Sequence, residues 1–113
     1  MGAGAGVARL IQRGDVRWYR FERPDKQRPV VVLTRSAALE FLAEVTVAPV
    51  TRTIRDIPTE VVLAPEDGMP ATCAANLDHM QTVSRARVGS LITTLSRERM
   101  AQVAAALRFA LDA

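Results

Sequence analysis

Two short segments of the 113-residue sequence hold side chains suited to gripping a phosphate. In Gln27-Arg28-Pro29, a guanidinium stands directly before the stiff run Val30-Val31-Val32-Leu33. In Val47-Ala48-Pro49-Val50-Thr51-Arg52-Thr53, two hydroxyls and a guanidinium close a β-branched stretch. Arginine presents a planar fork of donors that meets two phosphate oxygens at once, and it never loses its charge in a protein. Each segment also has a plainer reading: Arg28 as a solvated side chain at a strand start, and the hydroxyls of Thr51 and Thr53 as caps on loop backbone. Phosphate-cradling glycine loops, nucleophile elbows and zinc-binding His pairs do not occur. His79, the only histidine, invites an acid–base role but reads as an ordinary strand residue. Cys73, the only cysteine, reads as a small buried hydrophobe. One Cys and one His build neither a disulfide framework nor a four-ligand structural zinc site; no cofactor is expected.

The elements that must hold these residues are mostly short strands. Residues 16–21 alternate, with Val16, Trp18 and Arg20 on one face and Arg17, Tyr19 and Phe21 on the other. Residues 22–27 form a polar loop around Pro24. Four apolar residues in a row at 30–33 predict a strand buried on both faces, with Pro29 at its first position. Ser36 caps a two-turn helix over 37–42. Strands are expected at 44–50, 59–63, 72–75, 77–82 and 88–95, with a loop at 64–70 and a helical turn at 83–87. Ser96 then opens a helix to Leu111, with Met100, Val103, Ala104, Leu107 and Leu111 as its apolar stripe. Six or seven strands and one long helix make an α+β, mainly β chain: a small barrel or curled antiparallel sheet with the helix laid on it.

Charge sharpens the picture. The chain carries a net +3, and 14 of its 15 basic residues are arginine. Residues 1–56 hold ten basic and six acidic residues, whereas residues 57–113 hold five and six. The positive half is the one with Arg28 and Thr51, which suits a polyanionic partner. No apolar run approaches the ~20 residues of a membrane span, and the Gly/Ala-rich start lacks the pattern of a signal peptide. A cytoplasmic protein is expected, with residues 1–12 as a flexible tail and lead-in and residues 13–113 as one domain.

Several pieces occur in an order and spacing that resemble the MazF/PemK toxins. They are Arg13-Gly14-Asp15-Val16 with Trp18, Arg28-Pro29-Val30-Val31-Val32, Val47-Ala48-Pro49-Val50-Thr51, Ile57-Pro58-Thr59-Glu60-Val61, Asn76-Leu77-Asp78 with Thr82-Val83, and the closing helix. The resemblance implies an SH3-like barrel that works as a homodimer and cuts single-stranded RNA at short sequences without metal. The implied products carry a 2′,3′-cyclic phosphate and a 5′-hydroxyl. The implied partner is a MazE-like antitoxin that lays an acidic, extended C-terminal segment along the RNA groove. Arg28 and Thr51 match the family's catalytic Arg and Thr. Arg52, Thr53 and Arg55 follow as candidate RNA contacts, Arg17 and Arg20 read as RNA-facing or paired with acids, and Trp18 as a base-stacking surface or as core or dimer interface. The chain departs from many members by a shorter loop, residues 22–27, before Arg28. That loop shapes RNA specificity in the family, so no cut sequence carries over.

Two other classes share the barrel. A gyrase-poisoning toxin of the CcdB type acts through a Trp-Gly-Ile ending, where this sequence has Phe109-Ala110-Leu111-Asp112-Ala113. A nucleic-acid-binding module without catalysis needs no Arg–Thr pairing, and a fold alone does not select among these functions.

Overall fold

The computed structural model describes residues 10–21 and 27–113. The elements are β1 (Asp15–Arg20), β2 (Gln27–Val32), α1 (Ser36–Leu39), β3 (Glu44–Thr51), β4 (Glu60–Leu63), β5 (Cys73–Asn76), β6 (Gln81–Ser84), β7 (Val88–Thr94) and α2 (Arg97–Leu111). Residues 1–9, most of the expected tail, and residues 22–26 of the expected loop lie outside the described residues. Of the lead-in, Ile11 packs against the core and the Gln12 N–H donates to Asp15 Oδ2 at 3.1 Å.

The strand pairings are antiparallel, in the order β4-β5-β3-β2-β1-β7, with β6 added to β3. β3 is the hinge of this arrangement. Residues 44–47 pair with β6 and residues 47–49 with β2, while Val50 and Thr51 switch to β5. One strand shared between two ladders curls the sheet and brings the ends of β2 and β3 together. The α+β, mainly β expectation holds.

The run at 30–33 behaves as its composition requires. Val31 and Leu33 enter one apolar cluster with Val16, Val50 and Leu63, and Val30 and Val32 enter a second with Tyr19, Val45 and Val47. Alternate side chains of one strand thus serve two cores. Burying such a Val or Leu contributes about 1.5–3 kcal/mol each. α2 closes the first cluster with Val103 and Ala106, flanked by Met100, Leu107 and Ala110. Ser96 is its N-cap, its hydroxyl accepting from the Arg99 N–H at 3.1 Å. Leu111, the last residue of the expected stripe, is 57% exposed. Among the described residues no helix is long and apolar enough to cross a membrane.

Other boundaries shift for local reasons. β2 begins at Gln27, so Pro29 lies inside the strand opposite Trp18 rather than at its start. α1 is a single turn, and the Ser36 hydroxyl accepts from the Arg13 N–H at 3.0 Å instead of capping it. The expected strand at 77–82 is broken. Asn76 Oδ1 accepts the Asp78 N–H at 2.9 Å, turning residues Leu77–His79 into a 3-10 turn before β6. His79 is therefore an exposed turn residue, not a strand residue.

The loop after β4 is fixed by Asp67. Its Oδ2 accepts the Ala64 N–H at 2.8 Å, its carbonyl accepts the Thr93 hydroxyl at 2.9 Å, and Arg99 Nε donates to both carboxylate oxygens at 3.1 and 3.2 Å. Gly68 follows with φ +95°, and a Cβ there would collide with Thr93 Oγ1, so only glycine lets the loop lie against β7. The Arg99 hydrogen bond holds the Asp67 carboxyl below the usual carboxylate range, over an opposing push from desolvation and with help from the Ala64 N–H. A carboxyl whose folded pKa is depressed adds stability above its unfolded pKa and loses it as pH falls through the folded value. Melting temperature is expected to drop below about pH 4, and less steeply in Arg99→Gln. Identical acid limbs in the two proteins would count against the bond.

Candidate active site

The start of β2 and the end of β3 border one solvent-open groove of about 500 Å³. One wall carries Trp18 of β1 with Gln27, Arg28 and Pro29 of β2. The other carries Thr51, Arg52 and Thr53. Val50, Met69 and Cys73, all buried, form the base, and Pro70 and Ala71 complete the lining. Arg28 and Thr51 are 23 positions apart in sequence, and the β2–β3 ladder is what makes them neighbours of one cavity.

The local chemistry is that of an anion site. Arg28 and Arg52 line the groove, and no acidic residue does so among the described residues. Neither guanidinium is engaged in a hydrogen bond or ion pair with the described residues, so both forks are available to a ligand. The Thr51 hydroxyl oxygen accepts the Thr53 N–H at 3.1 Å. With that lone pair occupied, the hydroxyl proton is directed elsewhere, as a donor. Cys73 in the base has its thiol pKa pushed up, chiefly by burial, which leaves it an inert wall rather than a nucleophile.

The structure sorts the sequence candidates. Arg28, Thr51, Arg52, Thr53 and Trp18 come together on the groove. Arg55 does not line it: its N–H donates to Glu60 Oε1 at 2.8 Å and its guanidinium to Glu60 Oε2 at 3.5 Å. Arg17 does not reach it either. It is 7% exposed, with Nε on Asp15 Oδ2 at 2.9 Å and Nη1 on the Gly89 carbonyl at 3.0 Å. Of its two readings, pairing with an acid is the one realised. Met69, Pro70 and Ala71 are lining residues outside both candidate segments. The turn residues Pro65, Gly68 and Pro70 marked a structured loop there, but nothing local pointed it at Arg28.

Residues 12–111 match the family model described as PemK-like, MazF-like toxin of type II toxin-antitoxin system. Among curated relatives, the chain is 42% identical over 104 residues to the probable endoribonuclease MazF5 of Mycobacterium tuberculosis, covering 91% of this chain and 94% of the relative. It is 35% identical over 88 residues to endoribonuclease MazF3 of the same species, covering 78% and 85%. Among solved structures, Mycobacterium tuberculosis toxin MazF-mt6 superposes with a TM-score of 0.80 at 32% identity, covering 87% of this chain and 96% of that one. A mycobacterial endoribonuclease in complex with its cognate antitoxin gives 0.77 at 26% identity, covering 90% and 95%.

Proposed function

The chain belongs to the PemK-like, MazF-like toxins of type II toxin–antitoxin systems, and from that premise we propose that it is an endoribonuclease that cuts single-stranded RNA at this groove, with Arg28 and Thr51 as its catalytic residues. The observation that carries the reading is the meeting of Arg28 and Thr51 on one groove that has no acidic lining among the described residues.

The reaction follows from what those side chains do. The ribose 2′-hydroxyl attacks the adjacent phosphorus, forming a P–O2′ bond and losing its proton. The P–O5′ bond breaks, and the departing 5′-oxygen takes up a proton. The products are a 2′,3′-cyclic phosphate and a 5′-hydroxyl. Negative charge grows on the two non-bridging oxygens, and donors fixed in advance at that point do most to lower the barrier of such a reaction. Arg28 supplies two parallel N–H donors. Thr51, its oxygen already held by the Thr53 N–H, supplies a third donor. A guanidinium keeps its proton in a protein and is a poor base, so its contribution is electrostatic. The nucleophile comes from the substrate, so the mechanism does not call on a metal to generate one. Arg52 and Thr53 would hold a neighbouring phosphate, and Trp18 offers a face on which a base can stack.

The same cationic groove fits the acidic extended segment of a MazE-like antitoxin, which would compete with RNA, and a homodimer is the working form in this reading. Inhibition of translation and growth in the cytoplasm would follow from loss of message. Purified protein incubated with a long RNA in EDTA is expected to yield discrete fragments. RNA left intact would overturn the reading, and retention without cutting would favour a binding module instead. Thr51→Val keeps the side-chain shape without the hydroxyl and is expected to lower kcat about a hundredfold with KM little changed; unchanged kcat would remove Thr51 from the site.

A further inference from the structure

The loop between β3 and β4 makes one groove wall, yet it has little apolar anchorage. Residues 52–58 are all exposed, Ile54 and Ile57 included. Its hold on the fold is polar and centres on Glu60. The Glu60 side chain is 1% exposed, whereas its partner Arg55 is 53% exposed. Glu60 Oε1 accepts the Arg55 backbone N–H at 2.8 Å, Oε2 faces the Arg55 guanidinium at 3.5 Å, and the Glu60 N–H donates to the Ile57 carbonyl at 3.0 Å. Asp56, with φ +58°, makes the left-handed turn between these contacts. A carboxylate withdrawn from water is costly unless its oxygens are hydrogen-bonded. The loop is thereby folded around this one group.

Two residues before Arg55, the Thr53 N–H donates to the Thr51 hydroxyl. We propose that Glu60 is a positioning residue for cleavage: by clamping the Arg55 backbone it fixes the loop that aims the Thr51 hydroxyl. The proposal rests on the ribonuclease reading above. It also gives Arg55 a different task from the RNA contact that the sequence suggests. The essential acceptor is used by the Arg55 backbone, so the Arg55 side chain is dispensable to the clamp.

Steady-state cleavage of a defined RNA by Glu60→Ala and Glu60→Gln tests this, together with amide hydrogen exchange of the wild-type protein. Small misplacements of a catalytic group are expensive, so Glu60→Ala is expected to lower kcat about tenfold with KM nearly unchanged. Glu60→Gln keeps an oxygen for the Arg55 N–H and is expected to recover most of the rate. In the wild type, the Arg55 N–H is expected to exchange more slowly than those of Ile54 and Asp56. The proposal is overturned if Glu60→Ala cuts at the wild-type rate, if glutamine fails to rescue, or if the Arg55 amide exchanges as fast as its neighbours. The exchange measurement stands even where Glu60→Ala fails to fold. Wild-type protein that leaves RNA uncut would sink the ribonuclease reading instead, while the exchange pattern still reports on the clamp without RNA.

Discussion

Replacing Arg28 by alanine is expected to slow RNA cleavage about a thousandfold and to leave the melting temperature where it is. Arg28 is exposed, and its guanidinium is not engaged with the described residues. Truncation therefore breaks nothing in the fold, and surface changes of this kind stay within about 0.5 kcal/mol. What is lost is a charged fork in a groove where no acidic residue competes for it among the described residues. Arg28→Lys separates charge from geometry. Lysine restores a point charge but not two parallel donors, so it is expected to recover no more than about tenfold. Single-turnover rates on a defined RNA, with thermal melts of the same samples, check both. Near-wild-type cleavage by Arg28→Ala would remove it from the site.

Arg17→Met is expected to act in the opposite way, as a loss of stability. Asp15 is fully buried and Arg17 nearly so, with Nε and Oδ2 2.9 Å apart. Asp15 also accepts the Gln12 N–H at 3.1 Å and the Thr94 hydroxyl at 3.0 Å. Removing the guanidinium leaves a buried carboxylate without its counter-charge, at a cost of about 3–5 kcal/mol. For a domain of this size that lowers the melting temperature by about 15–30 °C. The intact pair is itself imperfect, because Arg17 Nη2 is buried without a partner. Its net contribution is therefore small, and the double variant Asp15→Asn/Arg17→Met is expected to regain most of the loss. Chemical denaturation of the single and double variants measures this directly. Equal stability of Arg17→Met and wild type would show that the pair is not formed in solution.

Arg17 and Arg28 also show where sequence reading reaches its limit. Both stand in strands beside aromatic or β-branched residues, yet one is a core ion pair and the other lines the groove. A signal for the first was present: Asp15 and Arg17, two apart on a strand, share a face. For the second, the Arg-Pro context pointed to the groove only through the family resemblance, since sharing a groove with Thr51 depends on how β3 switches between ladders. The run at 30–33 was legible because four consecutive apolar residues admit only two-sided burial. The cap at Ser96 was legible because a helix start is a local matter. The strand expected at 77–82 failed because a side-chain hydrogen bond, Asn76 to the Asp78 N–H, outweighed β propensity, and the Thr59 hydroxyl, donating to Asp78 at 2.6 Å, ties that turn from a distant position. Met69 and Cys73 reached the groove base through long-range packing that no local pattern encodes.

The mechanism depends on the substrate's own 2′-hydroxyl being the nucleophile. A short RNA containing one cut site, compared with the same oligonucleotide carrying a single 2′-deoxy nucleotide on the 5′ side of the scissile phosphate, tests this most directly. The all-ribose strand is expected to be cut to a 2′,3′-cyclic phosphate and a 5′-hydroxyl, and the substituted strand to remain intact at that position. Cleavage of the substituted strand at a comparable rate, or 5′-phosphate ends on the products, would contradict it.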